Sequence, residues 1–260
     1  MKQFNLIKVV IAVIALLATS LACGLFTNAG APSSTQPSVS QPSQAVTLPP
    51  SSASTEAPTA VPATSTQETQ KFFTDKFDHG ISDWSPFVTH GDISQLDLSA
   101  SNGQLDFNLK DRQLWTYLLY KPQTYDDVRI DVQVENRGSN ENNISLICRY
   151  NQDRGWYEVS IANSGLYWIY YGKWDSNGTT ASYANVANGG SNKIHQGPAT
   201  NTYAMVCKGN MISVSINNSE IKRVTDNSRS LGSGQIGIGV SSFRLLPVEV
   251  DYDWVKVSQP

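Results

Sequence analysis

From Phe72 to the C-terminus, apolar and polar positions alternate with a period of two. Val128, Ile130, Val132 and Val134 are interleaved with Arg129, Asp131, Gln133 and Glu135. Leu146, Cys148 and Tyr150 alternate with Ser145, Ile147 and Arg149, and Tyr157, Val159 and Ile161 with Trp156, Glu158 and Ser160. The same rhythm runs through Tyr167–Ile169–Tyr171, Ile212–Val214–Ile216 and Ile236–Ile238–Val240. A period of two puts one set of side chains on each face of an extended strand. Turn signals separate the runs at Asn102-Gly103, Arg137-Gly138, Arg154-Gly155, Ser164-Gly165, Gly209-Asn210 and Asn217-Asn218. Many short strands at this spacing predict an all-β, antiparallel sandwich or barrel, and no amphipathic helix interrupts them. Residues 72–260, roughly 190 positions, are enough for one domain with its own core.

The N-terminal part follows different rules. Lys2 and Lys8 precede an uninterrupted apolar run, Val9 to Leu17, which ends in small residues before Cys23. That run is short for a bilayer span and suits a signal-peptide core. It resembles the signal sequence of a bacterial lipoprotein, with 1–22 removed and Cys23 lipidated, although Ser20 stands where a branched apolar residue is usual. The resemblance implies a membrane partner through the lipid and an extracytoplasmic, cell-surface location. From Thr27 to Lys71 there is no aromatic residue, and seven of the twelve prolines fall there among Ser, Thr, Ala and Gln. Such a composition buries too little apolar surface to offset the entropy of ordering its backbone. Residues 23–71 therefore read as a disordered tether, spanning roughly 35–40 Å as a coil.

Charge excludes one class of partner. Loss of Lys2 and Lys8 takes the formal charge from −3 to −5, and no Lys/Arg cluster is present. Nucleic acid is not expected to bind. Cys148 and Cys207 both sit in apolar, strand-like runs. Outside the cytoplasm they are expected to form a disulfide, the alternative being two buried thiols.

The order of the segments carries a resemblance. Phe73-Thr-Asp-Lys-Phe-Asp78 is followed by Trp84, Asn102-Gly-Gln-Leu-Asp-Phe107, Gly155-Trp-Tyr-Glu-Val159 and Gly165-Leu-Tyr167. The chain closes with Gly234-Gln-Ile-Gly-Ile-Gly-Val240 and Val250-Asp-Tyr-Asp-Trp-Val255. Over 72–260 this resembles the concanavalin A-like lectin/glucanase superfamily, especially the laminin-G-like and 3-keto-disaccharide-hydrolase-like jelly rolls of bacterial surface proteins. The resemblance implies a jelly-roll β-sandwich and a glycan or surface protein as partner. It leaves the activity open, because this fold hosts lectins, hydrolases and adhesion modules.

The laminarinase-like members of that superfamily place Glu-x-Asp-x-x-Glu or Glu-x-Asp-x-Glu on a strand facing the cleft, since a nucleophile and an acid must flank one glycosidic bond. The nearest match here is Glu249-Val-Asp-Tyr-Asp253, on the last strand and ending in Asp. It reads better as a solvated strand face. His79, His90 and His195 have no paired spacing for zinc.

A ligand platform is the stronger candidate. With Tyr150, Tyr157 and Tyr167 assigned to the core, parity sends Arg149, Trp156, Glu158, Trp168 and Tyr170 to the opposite face. Aromatic rings beside polar groups suit a saccharide, and Trp174 and Tyr183 extend the set. The alternative is that a second layer covers these rings. Related jelly rolls also imply a structural calcium ion, for which Asp75, Asp78, Asp251 and Asp253 would supply oxygen ligands. The sequence thus favours a non-catalytic binding head, with a glycoside-processing hydrolase and a passive adhesion module as alternatives.

Overall fold

A computed structural model describes residues 71–260. The expected signal peptide, the lipidated Cys23 and nearly all of the tether lie outside the described residues. What is described is all-β, as the periodicity predicts, in two antiparallel sheets packed face to face.

One sheet has seven strands: β2 (Trp84–His90), β5 (Trp115–Tyr120), β7 (Asn142–Asn151), β8 (Gly155–Ala162), β9 (Leu166–Trp174), β10 (Ala181–Gly190) and β14 (Gln235–Ser242). Their spatial order is β10-β9-β8-β7-β14-β5-β2. The other sheet contains β3 (Leu96–Ser101), β4 (Gln104–Leu109), β6 (Val128–Asn136), β11 (Ala199–Lys208), β12 (Met211–Ile216), β13 (Ser219–Thr225) and β15 (Val248–Ser258). It runs β13-β12-β11-β6-β15-β4-β3, with β1 (Phe73–Asp75) added against β15.

The core lies between the sheets and is filled by the alternating residues read from the sequence. Val128, Ile130, Val132 and Val134 face Leu146, Val159, Ile169 and Ile238, all of them almost fully buried. Burying a side chain of this size contributes about 1.5–3 kcal/mol. Cys148 on β7 and Cys207 on β11 are joined by a disulfide, so a covalent bond crosses the core from one sheet to the other.

The seven-stranded sheet curls. Tyr183 on β10 donates from its hydroxyl to Thr89 Oγ1 on β2 at 2.9 Å, although these strands are the two edges. Phe87 on β2 likewise meets Trp174 on β9, with ring centroids 6.1 Å apart. Side chains from opposite edges therefore touch across the outer, concave face.

Candidate functional site on the concave sheet

Alternation along β8 aims Trp156, Glu158 and Ser160 at this concave face while Tyr157, Val159 and Ile161 enter the core. On β9, Trp168 and Tyr170 follow the same parity. The predicted set is thus largely on one face, but its members have different surroundings.

Trp156 is wholly buried, not a platform. Tyr150, Trp174, Tyr183 and Phe87 cover it, with ring centroids 5.4, 5.8, 5.9 and 6.4 Å away. Its cross-strand partner is Gly172, where a Cβ would fall 2.3 Å from Trp156 Cε2. The indole lies flat on the neighbouring strand only because that residue has no side chain. Gly172→Ala is expected to destabilise the head by about 1–3 kcal/mol through overpacking, read by urea denaturation. Part of the concave face is closed in this way, by side chains of the same sheet and not by the second layer of the alternative reading.

Arg149 does not join the platform. β7 holds one more residue than either neighbour: Cys148 and Asn151 oppose Tyr157 and Gly155, while Ile147 and Tyr150 oppose Gly237 and Gln235. The bulge places Arg149 at φ 56° and reverses parity beyond it. Arg149 is buried, donating to the carbonyls of Asp126, Gly209 and Leu231 and to Asp127 Oδ1, where it ties together three loops. Tyr150, expected in the core, takes its place on the concave face and accepts a hydrogen bond from Trp174 Nε1 at 3.0 Å.

The other half of the face stays open as a cleft of about 330 Å³. Trp168 and Tyr170 form one wall, their rings parallel within 5°. Trp115 and Phe243 form another, with Tyr183 standing between the cleft and the closed half. Asn143, Ser160 and Ser241 supply polar groups, and Asn143 Nδ2 donates to Ser160 Oγ at 2.9 Å.

Glu158 lies on the floor at 3% exposure. Ser145 Oγ donates to its Oε1 at 2.7 Å, the Tyr117 hydroxyl to both oxygens at 3.2 Å and Trp156 Nε1 to Oε2 at 3.4 Å. Burial pushes its carboxyl up to about 7, and these donors offset only part of the rise. Burial, with the charge of Glu158 added, raises the Tyr117 and Tyr183 hydroxyls too, so they remain neutral donors. Their oxygens lie 3.1 Å apart.

The four proposed calcium ligands do not form a group of three or more, although Asp75 on β1 lies against β15, which carries Asp251 and Asp253. Asp75 accepts from Phe77 N and Trp84 Nε1, and Asp78 is exposed in a turn. Asp251 pairs with Arg137 and Asp253 accepts from Gln104 and Gln133. Among the described residues no group of three or more acidic, histidine or cysteine side chains is gathered to hold an ion. Glu249, Asp251 and Asp253 belong to β15, in the sheet opposite the cleft.

Trp115, Tyr117, Asn143 and Phe243 are site residues that parity reading missed. Trp115–Tyr120 is apolar at almost every position and has no alternation to read, and Phe243 follows the end of β14.

The layout of two packed antiparallel sheets has counterparts among solved structures. A prokaryotic β-1,3-1,4-glucanase (lichenase) from a mouse hindgut metagenome superposes with a TM-score of 0.54 at 13% identity, covering 73% of this chain and 99% of its own. A galectin-like-fold protein of unknown function from Bacillus subtilis gives 0.52 at 12%, covering 72% and 94%. A glycoside hydrolase family 16 endo-glucanase from Bacteroides ovatus gives 0.52 at 11%, covering 72% and 99%. The head shares the jelly-roll β-sandwich fold of these structures. No protein-family model matches the sequence, and no curated protein is similar to it at a significant level. At these identities the likeness establishes the fold alone.

Proposed function

We propose that this chain is a lipid-anchored, extracytoplasmic protein whose jelly-roll head binds carbohydrate in the concave cleft without cleaving it. The carrying observation is the half-open concave face, with aromatic walls of Trp168, Tyr170 and Trp115 over a polar floor. Ring faces take the apolar C–H surface of a pyranose, and Asn143, Ser160 and Ser241 are placed for its hydroxyls. The cleft is at the small end of the range for small-molecule sites. The Trp156 cluster also stops the groove, so a chain end of one or two sugar residues fits better than a polymer threading through.

The absence of cleavage rests on the acid inventory of the cleft. Glycoside hydrolysis uses two carboxyl groups, about 5–10 Å apart, flanking the bond. Glu158 is the one carboxylate among the residues lining the cleft, and its same-face neighbours on β8 are Trp156 and Ser160. The anchor is supported by the run ending at Cys23 and by the proline-rich tether.

The test is a glycan-array screen of the head, followed by titration of hits with tryptophan fluorescence. Trp168→Ala is expected to weaken a hit at least tenfold, the loss typical of an aromatic anchor. Unchanged affinity in that variant would move the site elsewhere. Release of reducing ends from a bound glycan would replace the binding role with a hydrolytic one.

A further inference from the structure

One carboxyl group lines the cleft, and no basic side chain lines it. Glu158 accepts hydrogen bonds from neutral groups only: a serine hydroxyl, a tyrosine hydroxyl and an indole N–H. None of the residues lining the cleft is Lys, Arg or His. Arg244, which follows Phe243 on the rim, is turned to Glu141 with an N–O distance of 2.6 Å. Arg149, the basic residue that sequence parity assigned to this face, is paired with Asp127 outside it.

A buried carboxylate surrounded by neutral donors is unfavourable unless it takes up a proton or a cation joins it. The field of Glu158 reaches the cleft walls, since its charge adds to burial in raising the hydroxyls of both Tyr170 on β9 and Tyr183 on β10. Trp115, Trp168, Tyr170 and Tyr183 present aromatic rings around the same space. Rings and a carboxylate together are the chemistry that recognises an ammonium group, the ring faces being electron-rich and the carboxylate supplying the opposite charge.

We infer that the cleft selects an ammonium-bearing ligand, an amino sugar with a free amine, over its neutral counterparts, with Glu158 as counter-ion. This rests on the reading of the cleft as a saccharide site. An ammonium reaching the floor pairs with Oε2, whose only other partners are the shared Tyr117 hydroxyl and the long contact from Trp156. N-acetylation removes the charge and adds an acyl group that Glu158 cannot use. A neutral glucose unit offers hydroxyls that donate to the carboxylate but brings no charge to offset it.

The experiment titrates the head at pH 7.5 and low salt with four probes: a glucosamine trimer, an N-acetylglucosamine trimer, a glucose trimer and choline. The glucosamine trimer is expected to bind about tenfold more tightly than either neutral trimer. Glu158→Gln, which keeps the shape and removes the charge, is expected to bring that ratio to about one while its circular dichroism stays unchanged. Neutral trimers binding as well as glucosamine would overturn the inference and leave the carbohydrate reading standing. Choline binding as tightly as the glucosamine trimer would keep the ammonium preference and remove the sugar from it. If no probe binds, the ammonium preference falls, and the glycan array decides the carbohydrate reading by itself. A preference for glucosamine that persists in Glu158→Gln would also overturn the role given to this carboxylate.

Discussion

Replacing both Cys148 and Cys207 with alanine is expected to lower the stability of the head by about 4 kcal/mol. The two residues are 59 positions apart, so the bond closes a long loop in the denatured chain and removes conformations that the reduced chain explores. The link also joins β7 to β11, strands of opposite sheets, through the buried core. Urea denaturation of the oxidised wild type and the double variant measures the effect. The slope with denaturant should rise in the variant, because an unlinked chain exposes more surface when unfolded. Wild type under a reductant separates two contributions, since it loses the link but keeps both sulfur side chains in the core. A loss below about 1 kcal/mol in both would mean that residual structure already confines the denatured chain.

That bridge was legible because both cysteines sit in apolar, strand-like runs of a chain that reads as extracytoplasmic. The architecture was legible from the period of two: Val128 to Val134, Tyr157 to Ile161 and Ile236 to Ile238 each point where parity sends them. Parity failed at Arg149, where one inserted residue at positive φ reverses every side chain that follows on β7. No local signal marks that bulge, since arginine is not a residue that favours such a conformation. Parity also cannot say what covers a face. Trp156 was assigned to the correct side of the sheet, yet its burial depends on Phe87 and Tyr183 arriving from strands at opposite edges. Sheet curvature is a property of the assembled fold, so the division of the concave face into a filled half and an open half was not readable. Trp115 and Tyr117 escaped notice because a strand apolar on both faces carries no periodicity.

Glu158→Gln is expected to stabilise the head at neutral pH and to leave it unchanged in acid. In the unfolded chain Glu158 has the ordinary carboxyl value of 4.5, whereas burial raises it to about 7 in the folded head. Between those values the folded state binds more protons than the unfolded one. Stability therefore falls as pH rises through this window. The penalty is absent below about 4.5 and complete above about 7, where it is on the order of 3 kcal/mol. Glutamine keeps the acceptor for Ser145 and Tyr117 but cannot ionise. The difference between variant and wild type should thus grow from pH 4.5 to 7 and then level off, measured by urea denaturation across that range. A difference that stays flat with pH would show that Glu158 ionises as it does in the unfolded chain, so that burial leaves no penalty for a cation to relieve. The two properties are linked through one proton. A cationic ligand held against Glu158 favours its ionised form and lowers the pH at which that proton leaves. Saturating glucosamine trimer should therefore flatten the wild-type pH profile, and a neutral trimer should shift it upward without changing its slope.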